Sequence, residues 1–301
     1  MSRRISFVQV AAVLSLQVAL SAGQAPSFRT ETRLVVLHAT VLNNRGQRVT
    51  DLDQRVFRVF ENGKPQPIML FRRDDVPISV GLLIDNSGSM RPLRSRVERA
   101  ALAFARASNP QDELFVLNFA DRVRVDVPMT SDLHVLEDSI ARVDSIGGTA
   151  LRDAVRTGEL YLRDHAKWDR RVLLIITDGY DNASETTLDQ IRQQAEMTQT
   201  TIEAIGLFGG DDGAKIHRGR NELVGITDRT GGAASFPATL DEIEADAVEI
   251  ARQIRNEYTI AYAPVDQRLD GSYRRIRLSV SGPEQYSVRT RPGYRATRVT
   301  P

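Results

Sequence analysis

Hydrophobic and polar positions along the chain fall into three textures. From Thr30 to Phe71, short apolar runs alternate with turn residues. Leu34–Val41 is β-rich, Asn43-Asn44-Arg45-Gly46 reads as a turn, and Val56–Phe60 predicts a strand. Asn62-Gly63 closes that strand with a strong hairpin signal. Pro65 and Pro67 confine the next segment to an edge or short strand. About forty residues of this kind make too little sheet to bury a core alone.

From Pro77 the texture changes to strand–helix alternation. Ile78–Ile84 and Val172–Ile176 are nearly continuous apolar runs, as buried parallel strands require. Leu114–Phe119 and Thr201–Phe208 are also strand-like, and Val123–Val127 alternates with charge, predicting an antiparallel edge. Helices are expected over Pro92–Ala107, with proline in the first turn, and over Leu151–Lys167. A Thr187/Gln190 capping box opens a third helix running to about Thr198. Thr239 with Glu242 is expected to cap a fourth, whose stripe of Leu240, Ile243, Ala247, Ile250 and Ile254 is core packing. After Glu257 the β texture returns, with strands at Tyr258–Tyr262 and Ile276–Val280 around a turn at Asp270-Gly271.

The alternation predicts an α/β fold: a doubly wound, mostly parallel sheet with helices on both faces. The flanking strands are expected to pack together as a small β-sandwich-like domain. The expected partition is a signal peptide at 1–22, an N-terminal β segment at 28–75, an α/β domain at 76–258 and a C-terminal β segment at 259–301.

Composition narrows the chemistry. The 301 residues are 41% hydrophobic, with formal net charge +1 and no cysteine, which excludes a disordered chain, a disulfide scaffold and thiolate chemistry. Lys64, Lys167 and Lys215 are the only lysines among 40 basic residues, a skew read as genomic bias. Arg3 and Arg4 precede an apolar run from Ile5 to Leu20 and the small residues Ser21-Ala22-Gly23, the layout of a secretory signal peptide. Gln9, Ser15 and Gln17 make that run a poor membrane span. Its removal takes away two arginines and turns the net charge to −1. An exported chain without disulfides is expected to be bacterial, periplasmic or secreted. The near-neutral charge argues against a nucleic-acid partner; no transmembrane span is expected in the mature chain, and the oligomeric state is left open.

The sharpest chemical feature is Asp85-Asn86-Ser87-Gly88-Ser89-Met90 at the end of a buried strand, where ligand sites of open parallel sheets collect. One carboxylate and two hydroxyls are hard oxygen donors suited to Mg²⁺, Mn²⁺ or Ca²⁺. Asp178 ends the other long buried strand, in Thr177-Asp178-Gly179, and is expected on the same rim. Gly147-Gly148-Thr149 places a further hydroxyl just before a helix.

Together these residues resemble the von Willebrand factor A domain and its metal-ion-dependent adhesion site (MIDAS), in its bacterial exported form. The resemblance covers roughly residues 76–258 and rests on Asp85, Ser87, Ser89, Thr149 and Asp178, each at the expected strand end or loop. It implies a divalent cation, Mg²⁺ first, held by these five residues. Ser87 and Ser89 would bind directly, and Asp85, Thr149 and Asp178 directly or through water. It also implies a non-enzymatic module whose cation captures an Asp or Glu carboxylate of a protein partner.

Two other functions are weighed. A constitutive periplasmic scaffold would use the β domain more than the metal. A metal-dependent phosphoesterase would need a second acid in the first loop, where Ser87 stands. His38, His134, His165 and His217 show no metal-ligand spacing, and no phosphate-binding glycine loop or nucleophile elbow occurs. Gly209–Gly213 reads as a flexible loop and not a second cation loop. Arg289, Arg291, Arg295 and Arg298 read as a solvated basic terminal strand.

Overall fold

The computed structural model describes residues 33–73, 75–140, 147–209, 212–239 and 241–297. The expected signal peptide, Leu240, Asp211 and Arg298 lie outside the described residues. In chain order the elements are β1 (Val35–Leu42), β2 (Phe57–Glu61), β3 (Lys64–Gln66), β4 (Ile68–Arg72), β5 (Ser79–Asp85), α1 (Arg94–Ala107), β6 (Glu113–Phe119), β7 (Val123–Thr130), α2 (Leu133–Ile140) and α3 (Leu151–His165). There follow β8 (Arg171–Thr177), α4 (Leu188–Met197), β9 (Thr201–Gly206), α5 (Gly213–Thr227), β10 (Ala234–Ser235), α6 (Glu242–Arg255), β11 (Tyr258–Tyr262), β12 (Tyr273–Val280), β13 (Ser287–Arg289) and β14 (Gly293–Arg295).

The apolar runs of β5 and β8 lie side by side in a six-stranded sheet of order β10-β9-β8-β5-β6-β7. All pairings in it are parallel except β6 with β7, the antiparallel edge that charge alternation predicted. Every residue of β5 is buried, because both faces of the sheet are covered. On one face Val97, Ala101 and Phe104 of α1, Leu136 of α2 and Ile243, Ala247, Ile250 and Ile254 of α6 form the core. On the other face Leu151, Ala154 and Val155 of α3, Ile191 of α4 and Leu223 and Ile226 of α5 do so. Chain progression moves outward from β5 to β6, then returns past β5 to β8 and β9. The winding therefore reverses between β5 and β8, and a crevice opens at their C-terminal ends.

The terminal strands form two further four-stranded sheets, of order β13-β1-β11-β4 and β14-β12-β2-β3. Each mixes strands from both ends of the chain, antiparallel throughout. One core joins them: Leu37, Ile260 and Tyr258 from one sheet with Phe57, Val59 and Leu278 from the other. Phe57 reaches Phe71 and Tyr258 across it, with ring centroids 5.1 and 4.9 Å apart. Buried Glu61 accepts from the Tyr262 and Tyr294 hydroxyls at 2.8 and 2.9 Å. The Asn62-Gly63 hairpin places Pro65 on edge strand β3, where its missing N–H does no harm.

Four local expectations are corrected. Pro92 lies in a 3₁₀ turn, Gly88–Leu93, and α1 starts only at Arg94. Of the Gly209–Gly213 segment read as a loop, Gly213 opens helix α5, which Asp212 caps by accepting from the Lys215 N–H. At α6 no Thr239 side-chain cap is present; instead the Glu242 carboxylate accepts from the Ala238 N–H at 2.8 Å. Arg291 and Arg295 are not a solvated tail. Arg291 is buried with its guanidinium toward the Ala195 carbonyl, and Arg295 pairs with Glu196 at 2.7 Å.

A buried ion pair links the terminal strands to the α/β sheet. Arg170, just before β8, pairs with Glu257, just before β11, at 2.7 Å, and Thr40 of β1 donates to the same carboxylate at 3.0 Å. Nearby, burial pushes the Glu203 carboxyl of β9 from 4.5 up to about 8, against the pull of Arg289.

Arg170→Met would leave Glu257 buried without its counter-charge and is expected to cost about 3–5 kcal/mol in urea unfolding; an unchanged midpoint would refute that role. Glu203 holds its proton more tightly folded than unfolded, so its contribution to stability falls as pH rises from about 4.5 through about 8. Glu203→Gln is expected to shrink the difference in urea midpoint between the two ends of that range.

Candidate functional site

The site is built at the crevice between β5 and β8. Asp85 is the last residue of β5, and Thr177 the last of β8, each one residue beyond the paired Ile84 and Ile176. The Thr177 hydroxyl donates to Asp85 Oδ2 at 2.6 Å and accepts from the Gly179 N–H at 3.0 Å. Asp85 Oδ1 accepts from the Ser87 N–H at 2.8 Å. These bonds hold the carboxylate in a position that burial disfavours. Burial pushes Asp85 up to about 6; the Thr177 and Ser87 bonds oppose the shift and the charge of Asp178 adds to it.

The chain leaves β5 in extended geometry at Ser87 and enters the 3₁₀ turn. This brings the Ser87 and Ser89 hydroxyls to 3.1 Å from one another. Ser87 is buried and Ser89 is exposed, so the pair spans from the crevice floor to its opening. Asp178, half-buried, follows Thr177; its Oδ1 accepts from the Tyr180 N–H at 3.2 Å. The Lys215 ammonium of α5 lies 4.0 Å from Asp178 Oδ2.

The third loop is tied in by its backbone. Gly147 accepts from the Gly88 N–H at 3.0 Å, two residues before buried Thr149. Gly147 has φ +94°, and a Cβ there would lie 2.2 Å from Asp121 Oδ2, so the turn requires glycine on both counts. Asp85, Ser87 and Ser89 are thus joined directly, Asp178 sits beside Asp85, and Thr149 enters through the Gly147–Gly88 bond.

Three polar groups that sequence reading missed support these loops. Asp121, after β6, accepts from the Gly148 N–H at 2.6 Å. Asn182 accepts from the Thr149 N–H at 2.8 Å and donates its own N–H to the Thr149 carbonyl at 3.0 Å. Behind the first loop, Asn86 donates to Asn118, which donates to Asp126. Their partners are distant in sequence, and no local motif marks them.

Chemically the arrangement is an oxygen cluster: two carboxylates of like charge, adjacent hydroxyls and a graded exposure. Among the described residues, no three His, Cys, Asp or Glu side chains cluster as metal donors. Any cation here would therefore depend on the serine and threonine hydroxyls as well as Asp85 and Asp178. That donor set fits a hard divalent ion, and the mutual repulsion of the two acids is the charge such an ion neutralises.

Residues 80–180 match the family model of the von Willebrand factor type A domain. A comparison with curated proteins finds no match. Similar solved structures include a von Willebrand factor type A protein from Catenulispora acidiphila, at 14% identity and TM-score 0.54, covering 91% of this chain and 76% of that one. Another is proximal thread matrix protein 1 of the mussel byssus with a zinc-occupied MIDAS motif, at 17% identity and TM-score 0.51, covering 65% of this chain and 50% of that one. A third is the pilus adhesin SpaC of Lactobacillus rhamnosus GG in an open conformation, at 11% identity and TM-score 0.51, covering 82% of this chain and 48% of that one. At these identities the likeness is one of fold.

Thr177→Val keeps the side-chain shape but leaves Asp85 Oδ2 and the Gly179 N–H short of a partner in a buried place. The expected cost is about 1–3 kcal/mol in urea unfolding, and an undiminished stability would contradict the pairing.

Proposed function

We propose, from the match of residues 80–180 to the von Willebrand factor type A domain family model, that the chain is a binding module. It holds a divalent cation at Asp85, Ser87, Ser89, Thr149 and Asp178 and so captures an acidic group of a partner protein. The observation that carries this reading is the Ser87–Ser89 hydroxyl pair, 3.1 Å apart, beside two like-charged carboxylates at the strand ends.

Each residue has a part that its environment supports. Asp85 gives a carboxylate already oriented by Thr177 and the Ser87 N–H, so little ordering is left for binding. Asp178 adds the second negative charge from the neighbouring strand. Ser87 and Ser89 supply neutral oxygens, which limit the charge neutralisation to two carboxylates. When bound, the cation supplies positive charge and a coordination position that a partner's Asp or Glu can fill. Ser89, being exposed, marks the side from which that partner arrives.

The mussel byssus protein holds zinc at its motif. Here the all-oxygen donors favour Mg²⁺, with Mn²⁺ or Ca²⁺ as substitutes. Recognition, not turnover, is the function this chemistry supports, since the first loop has Ser87 where a phosphoryl-transfer loop needs a second acid. Arg3, Arg4 and the apolar run to Leu20 support export to the periplasm or medium of a bacterium. Among the described residues, no helix is long and apolar enough to cross a membrane.

Calorimetric titration is expected to find one Mg²⁺ or Mn²⁺ per chain. Ser89→Ala, at an exposed position, should weaken the affinity at least several-fold, and Asp85→Asn should abolish it. A wild-type protein that takes up no cation would sink the reading. Binding needs Asp85 ionised, so affinity should fall as pH drops through about 6.

A further inference from the structure

Beside the oxygen cluster is a cavity of about 330 Å³ that the cation reading does not use. Six apolar side chains line it: Met90, Pro92 and Leu93 from the turn after β5, Leu207 and Phe208 after β9, and Ile216 of α5. Ser89 and Asp178 line it too, so the cavity and the oxygen cluster share a wall. We infer that this cavity is a specificity subsite. It takes a bulky apolar side chain of the partner, next to the carboxylate captured at Ser89 and Asp178.

The walls are preformed. Met90 and Leu207 belong to the buried core of the sheet. Phe208 is held against Phe236, with ring centroids 5.7 Å apart. The volume suits one large side chain and a little of its backbone, at the small end of ligand pockets. An apolar side chain placed there leaves water without displacing any hydrogen-bonded group of the wall.

Charge at the mouth selects what accompanies that side chain. The Lys215 ammonium lies 4.0 Å from Asp178 and 4.8 Å from the centre of the Tyr180 ring, so it stands where the cavity meets the oxygen cluster. It favours a carboxylate at that junction. Asp212 also lines the cavity, and its carboxylate is engaged in capping α5. A second acid inside the cavity would meet that charge. The occupant that satisfies both is a single acidic residue with a Phe-, Leu- or Met-sized neighbour.

This inference rests on the cation reading, and the two fail differently. The probes are capped pentapeptides with a central glutamate among serines, and the same peptides with phenylalanine at each other position in turn. Binding to the Mn²⁺-loaded protein is followed by fluorescence anisotropy of labelled peptides, with Mn²⁺ uptake titrated separately. At least one phenylalanine position is expected to bind about tenfold or more tightly than the all-serine peptide. Replacing the glutamate with glutamine should abolish binding. Ile216→Trp, which fills the cavity, and Ile216→Lys, which charges it, should both erase the phenylalanine preference while Mn²⁺ uptake persists.

Absence of Mn²⁺ uptake by the wild type would overturn the cation reading itself. Normal uptake with no binding of any peptide would overturn carboxylate capture and the subsite with it; normal uptake with equal binding of all peptides, or with a preference untouched by both Ile216 variants, would overturn the subsite alone.

Discussion

Everything at the rim depends on one constraint: a carboxylate is buried at the end of the central strand, beside a second carboxylate on the next. Desolvating Asp85 is unfavourable, and Asp178 makes it more so. The loops are arranged around reducing that cost. Thr177 turns its hydroxyl toward Asp85, the chain doubles back so that the Ser87 N–H does the same, and the 3₁₀ turn follows from that reversal. The Gly147 carbonyl then ties the third loop to the first through Gly88, and Asp121 and Asn182 hold that loop from behind. The group is unfavourable alone and is supported from several directions.

The rest of the fold keeps that end of the sheet available. The terminal β-sandwich is attached at the opposite end of β8, where Arg170, Glu257 and Thr40 form a buried pair and its hydrogen bond. Seven residues of strand separate Arg170 from Asp178, about 26 Å at the usual rise. Arg291 and Arg295 add contacts to the end of α4. The attachment thus involves strand starts and a helix end, while the strand ends that carry the acids face a crevice.

Much of this was legible because it is local. The apolar runs of β5 and β8 require two covered faces, which made them parallel strands, and the Asn62-Gly63 hairpin and the α4 capping box each depend on adjacent residues. The clustering of Asp85 with Ser87 and Ser89 follows from a spacing of two at a strand end. What escaped is non-local or weakly patterned. Helix α5 carries Gly213, Gly219 and Gly225 and buries only a narrow face, so neither propensity nor periodicity announced it; Asp212 at its start looked like loop chemistry. Its omission also hid Lys215 and Ile216, and with them the cavity. Asp121 and Asn182 act through partners about thirty residues away. The C-terminal arginines looked solvated because their acceptors, Glu196 and the carbonyls of α4, are near only in the folded chain.

The central claim is that the oxygen cluster at the β5–β8 crevice is a cation site. Its most direct test is an anomalous difference map from crystals grown with Mn²⁺. The account predicts one strong peak bounded by oxygens of Ser87 and Ser89, with Asp85, Asp178 and Thr149 within direct or water-mediated reach. A map with no peak there, in crystals that hold Mn²⁺ elsewhere, would contradict it.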